Sequence, residues 1–329
     1  MFSPMVDPEL VAPNGPPEEA LARAVTAALR APSVFNTQPW HWRLHDGVAE
    51  LWADRDRQLA TVDPDGRLLV LSCGVALHHA RIAVAAAGRH PVVTRFPDPG
   101  HAGPLAELRI GGPYEPADEE RRAYAAIAAR HTDRRPYAAE TDIPRETLAL
   151  LRDAAESAGA HLHVLRDDQV PELTVAAAGA SMTETADPAY SEELNVWTHR
   201  PSPAGDGVPV ETAVRPVPRR VPVRDFAPGA DGLAPGGGTD RHARYAVVFT
   251  DADDVRAWLA AGEATSAVLL AATVHGLATN PVSDVVETPV ARDRLAALLA
   301  RIGHPQLVVR LGRGTPAQPV PRTPRRAGP

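Results

Sequence analysis

The chain has no lysine: all 34 of its basic residues are arginine. That excludes a Schiff-base or pyridoxal phosphate lysine, and a P-loop lysine with it. Its one cysteine, Cys73, rules out a disulfide framework and a cysteine zinc site. Cys73 stands in VLSCGVALHHARIAVAAAG (70–88), a helical pattern, where it reads as a small buried hydrophobe rather than a nucleophile. Mean hydropathy is −0.20 and no apolar run near ~18–20 residues is found, which argues against a transmembrane helix. The start, MFSPMVDPELVAPNGPPEE, lacks a basic region and an apolar stretch, so no signal peptide is expected and a cytoplasmic location is the default.

Several motifs are missing as well. There is no G-x-S-x-G and no G-x-G-x-x-G after a strand; PGGGTD (235–240) lies in irregular sequence. His78 and His79 are adjacent on a helix and point about 100° apart. His161 and His163 share a strand face but have no third ligand placed by sequence, so no metal is expected. A net charge of −7 with scattered arginines gives nucleic-acid binding little support.

What is present organises into two successive sets of elements. At 329 residues and 44% hydrophobic, the chain can bury a core as one large domain or two smaller ones. Residues 1–16 read as an irregular arm. Pro16, Pro17, Glu18 and Glu19 open a helix that runs to Arg30. WHWRL and VAELWA alternate around the Asp-Gly turn at 45–47, a hairpin signal. A buried helix over 66–88 and short strands at 91–96 and 107–111 follow. The second set has a helix after Asp118, a break at HTDRRPY (131–137), a helix opened by Pro144 and a strand at 161–165. From about 186 to 241 the composition turns to Pro, Gly, Asp and Arg, as in a lid, a functional loop or disorder. A strand (244–250), a cap at Asp251, an apolar helix over 262–278, a helix over 291–303 and a strand at 306–312 complete the set, before a proline-rich tail (313–329).

Three places concentrate groups suited to anions or a flat polar ring. APSVFNTQPWHW (31–42) puts Ser33, Asn36, Thr37 and Gln38 between Pro32 and Pro39. Its side chains can bond the edge of a heterocycle, or the stretch is only a helix end leading into a hairpin with Trp40 and Trp42 in the core. RHTDRRPY (130–137) brings Arg130, Thr132, Arg134 and Arg135 together as a phosphate cradle, or as a solvated cluster paired with the acids at 119–120. PRTPRR (321–326) is a third arginine cluster, weak by itself.

Taken together, these stretches resemble the FMN-dependent nitroreductase family. APSVFNTQPW resembles its flavin loop, and Arg130, Thr132 and Arg134 match its R-x-[ST]-x-R phosphate motif. HGLATNPV resembles the turn that passes the flavin ring, and QLVVRLGRG with PRTPRR resembles the last strand and basic tail. The order departs from the usual family member, because the A-P-S loop comes first and the arginine motif about a hundred residues later. That resembles the Acg-type branch. The resemblance implies an α+β protein with a duplicated nitroreductase-like fold: residues 17–115 as one half, 116–329 as the other, an intrachain pseudo-dimer with a lid over 186–241. It implies FMN held by Ser33, Asn36, Gln38, Pro39, Arg130, Thr132, Arg134, Asn280, Pro281, Ser283, Arg322, Arg325 and Arg326. It also implies hydride transfer from NAD(P)H through FMN to nitroaromatic or quinone acceptors, with no side chain needed as acid or base. The alternative is a flavin-binding or sequestering protein whose lid bars turnover.

Overall fold

The computed structural model describes residues 17–98, 100, 103–138, 141–314 and 320–328. The expected N-terminal arm lies outside the described residues, as does part of the tail.

Two four-stranded antiparallel sheets frame the molecule. The first has β1 (Trp40–His45), β2 (Val48–Ala53), β3 (Arg89–Arg95) and β4 (Ala106–Pro113) in the order β1-β2-β4-β3. The second has β5 (His161–Val164), β6 (Arg244–Thr250), β7 (Ala278–Val282) and β8 (His304–Gly312) in the order β5-β6-β8-β7. The two orders are the same. Each sheet is also preceded by a helix that packs on a longer one: α1 (Pro17–Ala28) on α2 (Arg67–Ala86), and α4 (Arg145–Ser157) on α7 (Val255–Val274). A helix α3 (Asp118–Ala129) links the two sets and touches both long helices. The fold is α+β, as expected.

The long helices cross at two glycines. A Cβ added to Gly74 would lie 2.9 Å from the Gly262 Cα and overlap the Leu259 carbonyl. One added to Gly262 would lie 2.8 Å from the Gly74 Cα and overlap the Leu71 carbonyl. Only glycine admits so close a crossing, and the reciprocal contacts set position 74 against 262 on the two helices. By length and composition both helices could span a membrane, contrary to the expectation from sequence. Here 89% and 67% of their apolar windows are buried in protein, because each is the central helix of a packed core.

Other elements differ from the sequence reading. Helix α5 (Val170–Ala186) had no assignment, and α6 (Pro188–Thr198) falls inside the stretch read as irregular. Asp187 caps α6 by accepting from the Ala189 amide, and Pro188 fits its first turn, so a breaker residue acts here as an initiator. The cap of α7 is Asp254 rather than Asp251; its carboxylate accepts from Arg256 and Ala257 at 3.0 and 2.9 Å. Ala117 rather than Asp118 precedes α3, with Glu120 accepting from the Ala117 amide. The stretch read as a turn near 276–284 contains β7, followed by the short α8 (Asp284–Glu287); the last helix, α9, spans Pro289–Leu298.

Candidate functional site: two clefts between the two sets of elements

The APSVFNTQPW loop is strained. Phe35, Asn36 and Gln38 all have positive φ, at 47°, 53° and 49°. Such left-handed residues cost roughly 1–2 kcal/mol each outside glycine and persist only where other contacts hold them. The Ser33 hydroxyl accepts from the Gln38 amide at 2.8 Å, and the Thr37 hydroxyl donates to the Val34 carbonyl at 2.9 Å. Asn36 donates to the Gly207 and Pro324 carbonyls at 2.9 and 3.2 Å and accepts from Arg325 at 3.1 Å. Gln38 donates to the Gly205 carbonyl at 2.8 Å and accepts from the Arg326 amide at 3.0 Å. Asp206, between those glycines, is bridged by Arg57 and Arg200. Asn36 and Gln38 therefore clamp the loop to segment 205–207 and to the tail, and neither lines a cleft. The Pro39 carbonyl accepts from Asp54 and Cys73. Trp40 and Trp42 are core residues.

The first cleft lies beside the helix crossing. The loop brings Ser33 and Phe35 to it; α2 brings Leu71 and Val75; α7 brings Thr265 and Leu269. Thr132, Arg134, Asn280, Pro281 and Ser283 line the far side, so both sets of elements contribute. Val223, Arg224 and Phe226 of the 186–241 segment line it as well. The Arg134 guanidinium lies 4.6 Å from the centre of the Phe226 ring, and that of Arg224 lies 4.7 Å from the Phe35 ring centre. Arg224 is anchored in turn by Glu184 at 3.2 Å and by Glu287. Burial, then the charge of Arg224, push the Arg134 pKa down to about 10.

The second cleft, of about 700 Å³, is rich in arginine, with Asp133 held by Arg135 at its wall. Arg30, Arg130, Arg322 and Arg325 line it, and none forms an ion pair among the described residues. Arg130 is buried, and among the described residues its Nε and Nη1 have no hydrogen-bond partner; nor has Arg325 Nε. Burial and the charge of Arg325 lower the Arg130 pKa to about 9; burial and the charge of Arg30 lower that of Arg325 to about 10. Buried cations with free donors and like-charged neighbours call for an anion between them. A phosphate fits, because guanidinium forks match its oxygens.

The structure thus divides the expected set. Arg130, Arg322 and Arg325 meet in the second cleft. Ser33, Thr132, Arg134, Asn280, Pro281 and Ser283 meet in the first. Arg134 stands apart from the arginines it was grouped with, since it lines the other cleft. Arg326 donates to the Gln38 carbonyl at 3.2 Å and faces Asp54, away from the arginine cluster. Arg30, Arg224, Phe226 and Thr265 were not foreseen. Arg30, directly before the A-P-S, was legible as a cation at a helix end; the other three carry no local signal.

No family model matches the chain. Among curated proteins, it is 38% identical over 315 residues to the Mycobacterium tuberculosis protein named "Putative NAD(P)H nitroreductase Rv3131", covering 94% of this chain and 90% of the relative. It is 36% identical over 316 residues to "Putative NAD(P)H nitroreductase acg" of the same organism, covering 94% and 93%. Among solved structures, a "putative nitroreductase" of Anabaena variabilis aligns with TM-score 0.49 and 10% identity, over 82% of this chain and 69% of that one. A nitroreductase with bound FMN from Bacteroides fragilis aligns with TM-score 0.40 and 16% identity, over 63% and 95%. By its identity to the mycobacterial relatives over nearly its whole length, the chain belongs to the nitroreductase family, in the branch that holds the mycobacterial acg protein.

Proposed function

We propose that this chain is an FMN-binding flavoprotein of nitroreductase type, with one cofactor spanning both clefts. The observation that carries the reading is the cluster of Arg130, Arg322 and Arg325, with Arg30 beside it: Arg130 is buried, none of the four forms an ion pair among the described residues, and the acid in the same lining, Asp133, is paired with Arg135. Its neighbour is a cleft with a mixed polar and apolar lining. Arg130, Arg322 and Arg325 hold the phosphate. Ser33, Thr132, Arg134, Asn280, Pro281 and Ser283 surround the ring, and Leu71, Val75 and Leu269 keep water from one side of it. Asn36, Gln38, Pro39 and Arg326 act one step back, by fixing the loop that presents Ser33.

When bound, FMN supplies a ring that takes hydride from NAD(P)H and delivers it to a nitroaromatic or quinone. The chain's part is to bind, orient and shield. Residues 17–115 and 116–329 act as the two halves of an intrachain pseudo-dimer, and the cleft between them takes lining from each. Arg224 and Phe226 make segment 186–241 a cover on that cleft. This favours a second reading, in which the protein holds flavin and turns over only when the cover lifts.

Stopped-flow mixing of the FMN-loaded protein with NADPH separates the two. Bleaching of bound flavin within seconds supports the reductase; no bleaching over minutes leaves the holding protein. A protein that purifies colourless and takes up no added FMN overturns both. Arg130→Ala weakens FMN binding by roughly 1.5–3 kcal/mol, typical of a lost charge-assisted contact, in a fluorescence titration. Unchanged affinity would show that the phosphate lies elsewhere.

A further inference from the structure

Several hydroxyls on the helices of this chain bond back to their own backbone, and Ser266 on α7 bonds His78 and His79 instead. Thr26, Ser72, Thr174, Thr198 and Thr273 each donate to the carbonyl four residues earlier, at 2.7 to 3.0 Å. Thr265, in the middle of α7, does not. It is 1% exposed, and its Oγ1 has no hydrogen-bond partner among the described residues. It lines the first cleft together with Leu269 on its own helix and Val75 and Ser72 on α2; the Ser72 hydroxyl is bonded to the Leu68 carbonyl and the Val34 amide, which leaves that of Thr265 as the unbonded one of the two. The glycine crossing sets 265 opposite 77, and residue 77 is a leucine packed in the core. The same helix position is apolar on one side of the crossing and a hydroxyl on the side with the cleft.

A buried hydroxyl without a partner is unfavourable, and a returning bond to its own helix is the ordinary remedy. We infer that the Thr265 hydroxyl is a ligand contact, which completes its hydrogen bonding to a polar edge atom of the flavin ring in the first cleft. The inference rests on the FMN reading and extends it to a positioning residue that the loop and arginine motifs do not include.

Thr265→Val keeps the shape and removes the hydroxyl; Thr265→Ser keeps the hydroxyl. In fluorescence titrations with FMN, Thr265→Val raises Kd about five- to tenfold and shifts the visible absorption bands of bound flavin, whereas Thr265→Ser stays within about twofold of the parent. Thermal unfolding gives the second readout. Without flavin, Thr265→Val is at least as stable as the parent, because the orphaned group is gone; with flavin it gains less from the ligand. A valine variant with the parent's Kd and spectrum overturns the inference and leaves the FMN reading standing. So does a valine variant that is much less stable without flavin, since that marks a structural hydroxyl. If the parent protein itself takes up no FMN, the FMN reading fails and this contact falls with it.

Discussion

The two sides of the glycine crossing have matching backbones and opposite contents. On one side, Val75 and Leu269 form apolar wall in the first cleft. The facing register puts Glu263 and Arg81 at the corresponding places, and there they make an ion pair instead. Arg95, from the end of β3, closes the cluster with bonds to Glu263 at 2.6 and 2.9 Å. Glu263 is completely buried, and its bonds hold the Arg95 pKa up against the opposing effect of burial. The cleft and the plug therefore differ at a few helix positions, with Val75, Leu269 and Thr265 on one side and Glu263, Arg81 and Leu77 on the other, and at one strand end. A repeated scaffold does not carry its site with it; a few side chains decide whether the space is kept or filled.

The largest effect belongs to the crossing itself. Gly262→Ala drives a methyl group into the Leu71 carbonyl, and the chain loses roughly 3 kcal/mol or more of stability in urea unfolding. A near-neutral alanine would mean that the helices can part, and the comparison of their two sides would lose its register. Next comes the plug. Glu263→Gln keeps the shape but removes the charge that two guanidinium groups share. It costs about 2 kcal/mol by the same measurement, less than a fully buried pair because both arginines retain some solvent contact. FMN affinity should stay within twofold; a large change would show that the plug and the cleft are coupled.

The smallest effect falls on the proposed cover. Burial raises the Glu184 pKa to about 8; Arg224 opposes that rise, and Glu287 and Asp284 add to it. Asp63, Arg67 and Tyr190 stand around the same cavity. A pKa raised in the closed form means that closing takes up a proton. Closure is then favoured below the ordinary carboxyl range, and that contribution fades as pH rises through about 8. Iodide quenching of bound flavin should rise several-fold from pH 5 to 8.5 in the parent and rise less in Glu184→Gln, where Asp284 and Asp63, each pushed up to about 6 by burial, still titrate. Equal slopes would detach Glu184 from the cover.

Much of this architecture was legible in the sequence, and the reasons are local. The Asp-Gly turn at 46–47 and its alternating flanks announced β1 and β2, and of the spaced arginines Arg130, Arg322 and Arg325 do meet in one cleft. Other features depend on partners far along the chain. Nothing near Asn36 or Gln38 tells that their amides are taken by Gly207 and Gly205, so they read as ligand contacts. Arg134 looked like Arg130 because the two share a motif, yet the chain turns between them into separate clefts. Helix α6 hid in a proline-rich stretch, where Pro188 starts a helix instead of ending one. Thr265 was invisible in a run of apolar helix.

The strained loop at 35–38 also sets an order of events. Its left-handed residues are held by bonds to Pro324 and Arg326, 288 residues downstream. On the ribosome, the loop is made early but cannot lock until 324–326 have emerged and docked. On the proposed FMN reading, flavin capture would then be a late step of biosynthesis, and a chain stalled short of residue 324 would carry nearly all of the fold without the locked loop.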